Sequence, residues 1–330
     1  MLLSILIPTF NRAKELKKNL ELLCRYIVGF NSLQCEIIIS NNNSTDSTRT
    51  VCEAFSGYSF IKIFHQKDNI GLEKNTLFCL SKSTSQYVLF LGDDDYISQG
   101  YFNSIIRNIS EHKYCAIIPS FVGYFPQENK VIYGRDVEIK SRVFKSKFLS
   151  LLNLSWRGHQ MSGLVVKRAG ILEKYIGSKA SNIYPFIFFV TYALTKGDGL
   201  HETKYPVIVT QRPQVEKDWS YGEDGLIPDM LDNYFCFNKI GVLSNVERIL
   251  LELKVFVNNE GRFVPVAIKN PKWFFVFLKK IGSSSKISLP GKLIFMLFIP
   301  VFFLSFIIKR WYRRKIEKNM IIDVDFINDK

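Results

Sequence analysis

The chain has 330 residues, 47% hydrophobic and 22% charged, a balance that excludes a wholly disordered or fibrous chain and allows one large α/β unit or two modest ones. Its formal net charge of +14 calls for an anionic partner such as phosphate groups or an acidic membrane surface. Much of that charge follows Lys269 beside apolar stretches, a placement that favours a membrane surface over nucleic acid.

In chain order, residues 3–8 form a short apolar run, read as a first core strand rather than a signal segment because no basic region precedes it. Leu16, Leu20, Leu23 and Ile27 then mark a helix over 12–28. A strand is predicted at 35–40, a helix at 46–55 with Ser44 or Asp46 as N-cap, a strand at 60–65, a helix at 72–83 and a strand at 86–91. Phe102, Ile105, Ile106 and Ile109 mark another helix, and 114–119 a fifth strand. Residues 125–154 read as loops with a short helix near 143–152. Strands at 163–167 and 205–210 flank an apolar helix over 183–195, and 222–258 is helical with a break near Gly241. The six cysteines form no CxxC pair or metal-ligand spacing and read as reduced thiols.

Such alternation predicts an α/β, Rossmann-like, mainly parallel sheet with helices on both faces. Ligands bind such sheets beyond the carboxyl ends of the strands. Polar clusters follow three strands there: Thr9 to Arg12, Asn41 to Asp46, and Asp93-Asp94-Asp95. Three consecutive carboxylates repel one another unless a cation or hydrogen-bond donors offset them. Hard divalent ions such as Mg²⁺ or Mn²⁺ prefer such oxygen ligands. Taken alone, the cluster reads equally well as a solvated acidic turn ahead of a helix.

The segments SILIPTFNR, EIIISNNNSTDST, DNIGLEKN and YVLFLGDDD occur in the order and approximate spacing of family-2 glycosyltransferases. About the first 100 residues resemble that family, and the forms N-x-G-x-x-x-N and LGDDD are most similar to its abequosyltransferase-like O-antigen branch. The resemblance implies a GT-A fold and transfer of a sugar from a nucleotide-diphospho-sugar to a glycan acceptor, metal-assisted and inverting, in bacterial O-antigen or capsule synthesis. By position it implies that Pro8, Thr9, Asn11 and Arg12 line the nucleotide pocket, that Asn41 contacts the base, and that Asn69, Gly71 and Asn75 lie near the ribose and diphosphate. The family's Asp-x-Asp-Asp, aligned on its last two residues, puts its first position on Gly92. Asp94 then leads as metal ligand, with Asp93 or Asp95 contributing; alternatively all three form a shifted Asp-x-Asp. The family's general base comes from a Glu-Asp pair, but residues 181–185 hold no carboxylate. Glu223 with Asp224, or His159, are the substitutes.

The resemblance and the tail together predict three segments: 1–125 binding the donor, 126–265 binding the acceptor, and 266–330 associating with a membrane. The apolar stretch 293–308 would be about 24 Å long as a helix, short of a hydrocarbon core of about 30 Å, and a basic cluster follows it. It reads as peripheral or re-entrant at the cytoplasmic face of the bacterial inner membrane, with 273–278 as a second contact and a polyprenyl-diphosphate-linked glycan as acceptor. A buried core helix is the plain alternative for this stretch. A nucleotidyltransferase and a non-catalytic membrane-bound scaffold are the rival functions.

Overall fold

The computed structural model describes residues 1–30, 34–111, 114–180, 183–211 and 227–328. Strands β1 (Leu3–Thr9), β2 (Cys35–Asn41), β3 (Ile61–His65) and β4 (Tyr87–Phe90) pair in parallel in the order β3-β2-β1-β4. Their side chains alternate between two cores. Leu3, Ile5, Ile7, Ile37, Ile39 and Leu89 pack on one face, while Leu6, Ile38, Val88 and Phe90 pack on the other. This is the period-two pattern of strands buried on both sides, and it explains why they read as continuous apolar runs.

Helices α1 (Ala13–Val28), α2 (Thr48–Ala54) and α4 (Gln99–Ser110) cover the first face through Leu16, Leu20, Leu23, Cys52, Phe102, Ile105 and Ile109. Helix α3 (Gly71–Lys82) covers the second with Cys79 and Leu80. Ser98 caps α4, its hydroxyl accepting the Tyr101 N–H. A buried carboxylate also sits under this part of the sheet. Glu36 is fully buried, but it accepts the Ser4 hydroxyl at 2.5 Å and pairs with Lys62 Nζ at 2.6 Å, so its charge is compensated.

Beyond β4 the sheet becomes mixed. Strand β8 (Leu164–Lys167) runs antiparallel between β4 and β5 (Ala116–Phe125), and β9 (Gly199–Thr210) runs parallel to β5. The parallel expectation therefore holds for β3-β2-β1-β4 and for β5 with β9. Strands β6 (Lys130–Arg135) and β7 (Arg142–Phe144) add antiparallel partners to β5 and β9, within the stretch expected as loops. Their apolar runs, Val131-Ile132-Tyr133 and Val143-Phe144, are too short and too exposed to stand out from a polar stretch. β5 continues past its expected stop at Pro119 because a register shift between Pro119 and Phe121 absorbs the irregularity. β9 starts well before residue 205, since its polar start finds partners: Glu202 accepts the hydroxyls of Ser104 at 2.6 Å and Ser141 at 2.9 Å.

Helices α5 (Lys147–Leu154), α6 (Ile171–Ser178) and α7 (Pro185–Leu194) fill the second face. α7 is apolar all round and buried on nearly every residue. α8 (Ile227–Lys239) and α9 (Asn245–Asn258) flank the expected break, where Gly241 takes a φ of 74°. Ser244 and Glu247 form a capping box at the start of α9.

The last helices are α10 (Glu260–Lys269), α11 (Pro271–Ser283), α12 (Leu289–Leu297), α13 (Ile299–Asn319) and α14 (Asp325–Asn328). Phe263, Phe277, Phe295 and Phe302 join them in an aromatic core with ring centroids 5.5 to 6.1 Å apart. Among the described residues no single helix is long and apolar enough to cross a membrane, though α12 and α13, bent by 63°, pass that test together by length and composition. The stretch 293–308 divides: Phe295 and Phe302 are core, whereas Leu293, Leu297, Val301, Leu304 and Ile308 are exposed.

Candidate active site

The three polar clusters meet beyond the carboxyl ends of β1, β2 and β4. The backbone N–H of Phe10 donates to Asp93 Oδ2 at 3.3 Å, and Arg12 lies 3.7 Å from Asp94 Oδ2. The Asn11 N–H donates to Ser44 Oγ at 2.9 Å, and Asn11 Oδ1 accepts the Thr45 N–H at 2.8 Å. The N–H groups of Arg12 and Ala13 reach Thr48 and Asp46. Asn11 and Asn43 take left-handed φ values of 53° and 60°, a conformation Asn tolerates better than most residues.

The three aspartates have different surroundings. Asp93 and Asp94 are partly buried at the crevice, with Asp94 beside Arg12. Burial first, then the charge of Asp94, raises the Asp93 pKa. Asp95 turns inward. It is 6% exposed; its Oδ1 accepts the Thr210 N–H at 2.9 Å and its Oδ2 accepts the Ser162 hydroxyl. Burial and Asp94 push its pKa well up. Asp95 thus braces the turn, with both carboxylate oxygens engaged by partners within the protein. Asn19 of α1 clamps the same turn, donating to the carbonyls of Gly92 at 3.0 Å and Asp95 at 2.9 Å. Gly92 is where the family pattern has its first carboxylate. A Cβ there would lie 3.0 Å from Ser162 Oγ and 3.1 Å from Asp95 Oδ2, so a side chain at this position would require those two groups to shift by a few tenths of an ångström.

Among the nucleotide-pocket positions, Pro8 and Thr9 end β1 and are buried. The Thr9 hydroxyl is buried with no hydrogen-bond partner among the described residues. Asn41 Oδ1 accepts the Ser44 N–H at 3.1 Å and its amide lies 3.1 Å from His65 Nδ1. Asn69 Oδ1 accepts from Asn42 at 2.7 Å and from the Gly71 N–H at 3.0 Å, and Gly71 takes a φ of 80°. Asn75 does not line the crevice. It is 1% exposed and spends both ends of its amide on Ser40, at 2.6 and 2.9 Å, which ties α3 to β2.

Of the base candidates, Glu223 and Asp224 lie outside the described residues. His159 sits in a 3-10 turn (Ser155–His159), stacked on Trp156, with Nδ1 2.9 Å from the Trp156 carbonyl oxygen. Burial, then the charges of Arg262, Arg135 and Arg157, lower its pKa well below the usual value. Its ring is thus packed among guanidiniums and engaged with the Trp156 carbonyl, away from the aspartate turn's own hydrogen bonds. Sequence reasoning missed Ser162, Thr210 and Asn19, the three residues that hold the acidic turn. Each is a lone polar residue with no local pattern, brought in from an element distant in sequence.

Among the described residues no group of three His, Cys, Asp or Glu is arranged to hold a metal alone. Asp93 and Asp94 supply hard oxygens beside the orphaned Thr9 hydroxyl. Such a set fits Mg²⁺ or Mn²⁺ in the mode that uses one or two carboxylates plus substrate phosphates.

Comparison with known proteins agrees with this architecture. A segment of a glucosyltransferase of Campylobacter jejuni, GalNAc(5)-diNAcBac-PP-undecaprenol beta-1,3-glucosyltransferase, is 28% identical over 149 residues, 44% of this chain and 47% of that protein. The abequosyltransferase RfbV of Salmonella typhimurium is 34% identical over 101 residues, 30% of each chain. The minor teichoic acid biosynthesis protein GgaB of Bacillus subtilis is 26% identical over 111 residues, 33% of this chain and 12% of that one. These matches span less than half the length of each relative. The crystal structure of S. aureus TarS 1–349 in complex with UDP-GlcNAc superposes with a TM-score of 0.66 at 16% identity, over 85% of this chain and 81% of that one, a likeness of fold. The sequence profile of Glycosyl transferase family 2 matches residues 4–176, more than half of the chain, and the protein belongs to that family.

Proposed function

We propose that this family-2 glycosyltransferase moves a sugar from a nucleotide-diphospho-sugar to a phosphate-linked glycan acceptor, in the assembly of a bacterial surface polysaccharide at a membrane face. The carrying observation is the meeting of Thr9 to Arg12, Asn41 to Ser44, and Asp93 with Asp94 at one crevice. Asn41 presents an amide that both donates and accepts, a group suited to the edge of a pyrimidine base. Asn69, bonded to Asn42, and Gly71 would face the ribose and diphosphate. Arg12 supplies positive charge for the diphosphate, and Asp93 and Asp94 would hold the divalent ion. When bound, that ion stabilises negative charge on the departing diphosphate. The acceptor hydroxyl then displaces the nucleotide at the anomeric carbon with inversion, and Glu223 or Asp224 takes its proton. Two of the relatives bear on the acceptor by name only, one acting on an undecaprenol-linked glycan and one in teichoic acid synthesis.

The exposed ridge Leu289, Leu293, Leu297, Val301, Leu304, Ile308 and Trp311 supports membrane docking. Its three- and four-residue spacing makes an apolar stripe on each of α12 and α13, on either side of their 63° bend. Arg310 and Arg314 are exposed at its end, a composition suited to the headgroup boundary. Trp273 and Phe277 are partly or fully packed, so the second contact reduces to Phe275 and Val276.

The test is calorimetric binding of UDP-, CDP-, GDP- and dTDP-sugars with and without Mn²⁺, to wild type and Asp94→Ala. Metal-dependent binding of one donor, lost in Asp94→Ala, is the expected result. A folded wild type that binds none of them would overturn the transferase reading in favour of a non-catalytic scaffold.

A further inference from the structure

A second set of charged residues gathers where β5 and β6 meet the 3-10 turn and α10. Asp136, in the left-handed region at φ 64°, is its hub. Arg157 grips both Asp136 oxygens, at 2.7 and 3.0 Å, while Arg135 Nε and His201 Nε2 each lie 3.2 Å away. Arg135 and Arg157 stack over the Trp156 ring, at 5.4 and 4.6 Å. Arg262 of α10 donates to the Tyr184 hydroxyl at 3.2 Å. Lys254 of α9 borders the group and feels the charges of both Arg157 and Asp136.

The charges do not balance. Among the described residues, three guanidiniums and an ammonium face one carboxylate, and burial lowers the His201 pKa against the pull of Asp136. The guanidiniums of Arg135 and Arg157 are about nine-tenths buried. Buried charge of one sign is costly until an opposite charge joins it. Burial, together with Arg157 and Arg262, lowers the Arg135 pKa against the opposing pull of Asp136. A second observation also points to a ligand. Trp156 is 5% exposed, and its indole N–H has no acceptor among the described residues. The group is therefore short of an acceptor as well as of a negative charge.

We propose that this cluster is an anion subsite holding a phosphoryl group of the acceptor. What the anion belongs to rests on the transferase reading above; the positive excess does not. The donor crevice is built by loops after β1, β2 and β4, whereas this group is built by β6, the 3-10 turn, α9 and α10. The Arg135 fork is engaged by the Arg157 and Pro119 carbonyls and the Arg157 fork by Asp136 and the Asn153 carbonyl, so an incoming anion would meet Arg262 and Lys254 at the rim, with the buried guanidiniums adding positive field behind them, a setting that favours phosphate over a neutral sugar. The two sites are joined by one short segment. Ser162, which holds Asp95, follows the turn that carries Arg157 and His159. On the far side, α10 packs on α13, which carries the exposed apolar stripe, and Arg313 of α13 sits 5.8 Å over Tyr133 of β6. A phosphate held here would lie between the reacting centre and the face suited to a lipid tail.

The test titrates inorganic pyrophosphate in EDTA, so that no metal bridges it to Asp93 and Asp94. The proteins are wild type, Asp94→Ala, and the double variant Arg262→Gln/Lys254→Gln, whose positions lie at the partly exposed rim of the cluster. Wild type and Asp94→Ala should bind alike, and the double variant about tenfold or more weakly, the loss of a charge-assisted contact. UDP binding with Mn²⁺ should be unchanged in the double variant, which also shows that it is folded. Displacement of pyrophosphate by a polyprenyl phosphate in phosphatidylcholine vesicles assigns a lipid-linked source; displacement by soluble poly(glycerol phosphate) assigns a polymer source. No pyrophosphate binding by wild type, or equal binding by the double variant, overturns the subsite. Failure of wild type to bind any nucleotide sugar overturns the transferase reading and leaves the pyrophosphate result standing.

Discussion

Ser162→Ala removes one hydroxyl and exposes the reasoning about the acidic turn to a direct check. Ser162 is 1% exposed, its Oγ accepts the Gly92 N–H at 3.0 Å, and it donates to Asp95 Oδ2. Alanine leaves two buried polar groups without that partner, each costing about 1 to 3 kcal/mol. A total of about 3 kcal/mol is expected, since Asp95 keeps its bond from Thr210. With about 2.1 cal/mol/K of unfolding entropy per residue, a chain of this length loses roughly 4 °C in Tm. Differential scanning calorimetry reads that shift. The same variant should bind donor nucleotide several-fold more weakly, because Asp93 and Asp94 belong to the turn that Asp95 braces. A Tm within about 1 °C of wild type would show that the inward-facing Asp95 is not what holds the turn.

Four further outcomes follow from other parts of the molecule. Asn75→Ala should cost about 2 to 3 kcal/mol, because both Ser40 contacts are buried; chemical denaturation reads it, and a neutral result would refute the tie between α3 and β2. For Asp136, burial alone would raise the pKa, but the His201 and Arg157 bonds and the nearby guanidiniums outweigh it and hold it well below the usual range. A depressed carboxylate pKa adds stability above the unfolded value of about 3.9 and loses it as pH falls towards the folded one, so the fall in Tm below about pH 4 should be shallower in Asp136→Asn than in wild type. Leu297→Asp/Leu304→Asp/Ile308→Asp should abolish co-flotation with anionic vesicles and leave Tm within about 1 °C, since all three side chains are exposed; unchanged flotation would refute membrane docking by this stripe. Burial pushes the Cys24, Cys35 and Cys52 thiols up to about 12, and all three are buried, so native protein should label slowly with a thiol reagent at pH 8 and rapidly once unfolded.

The sequence carried the first half of this fold well, and for a physical reason. Strands buried on both faces must be apolar along their length, so β1, β2 and β4 appear as runs such as LSILIPT and CEIIISN. The polar residues directly after them could be placed at one crevice by topology alone. What could not be read were features held by distant partners. The inward turn of Asp95 depends on Ser162 and Thr210, and the burial of Asn75 depends on Ser40. In a triplet of identical carboxylates nothing local distinguishes the one that faces inward. The joining of the arginines was equally hidden: the segment Trp156-Arg157-Gly158-His159 has a composition suited to phosphate, but Arg135 and Arg262 reach it from a distant hairpin and a late helix. The tail mixed two patterns in one apolar stretch, and only packing separates Phe295 and Phe302 from the exposed Leu297 and Leu304.

Strand β5 has one further consequence. It pairs along its length with β9, whose last residue, Thr210, bonds Asp95, while its partner β6 carries Arg135. The acidic turn and the arginine cluster are thus joined through one hydrogen-bonded ladder, which carries a register shift between Pro119 and Phe121. If the phosphoryl group is anchored at the arginines, the spacing works as a ruler. Acceptors would be sorted by the number of sugar units between their phosphate and their reacting hydroxyl, and a glycan already extended by one unit would overshoot the crevice. Such a frame would add its sugar once and then release the product, with chain length read by geometry rather than by recognition of each sugar along the way.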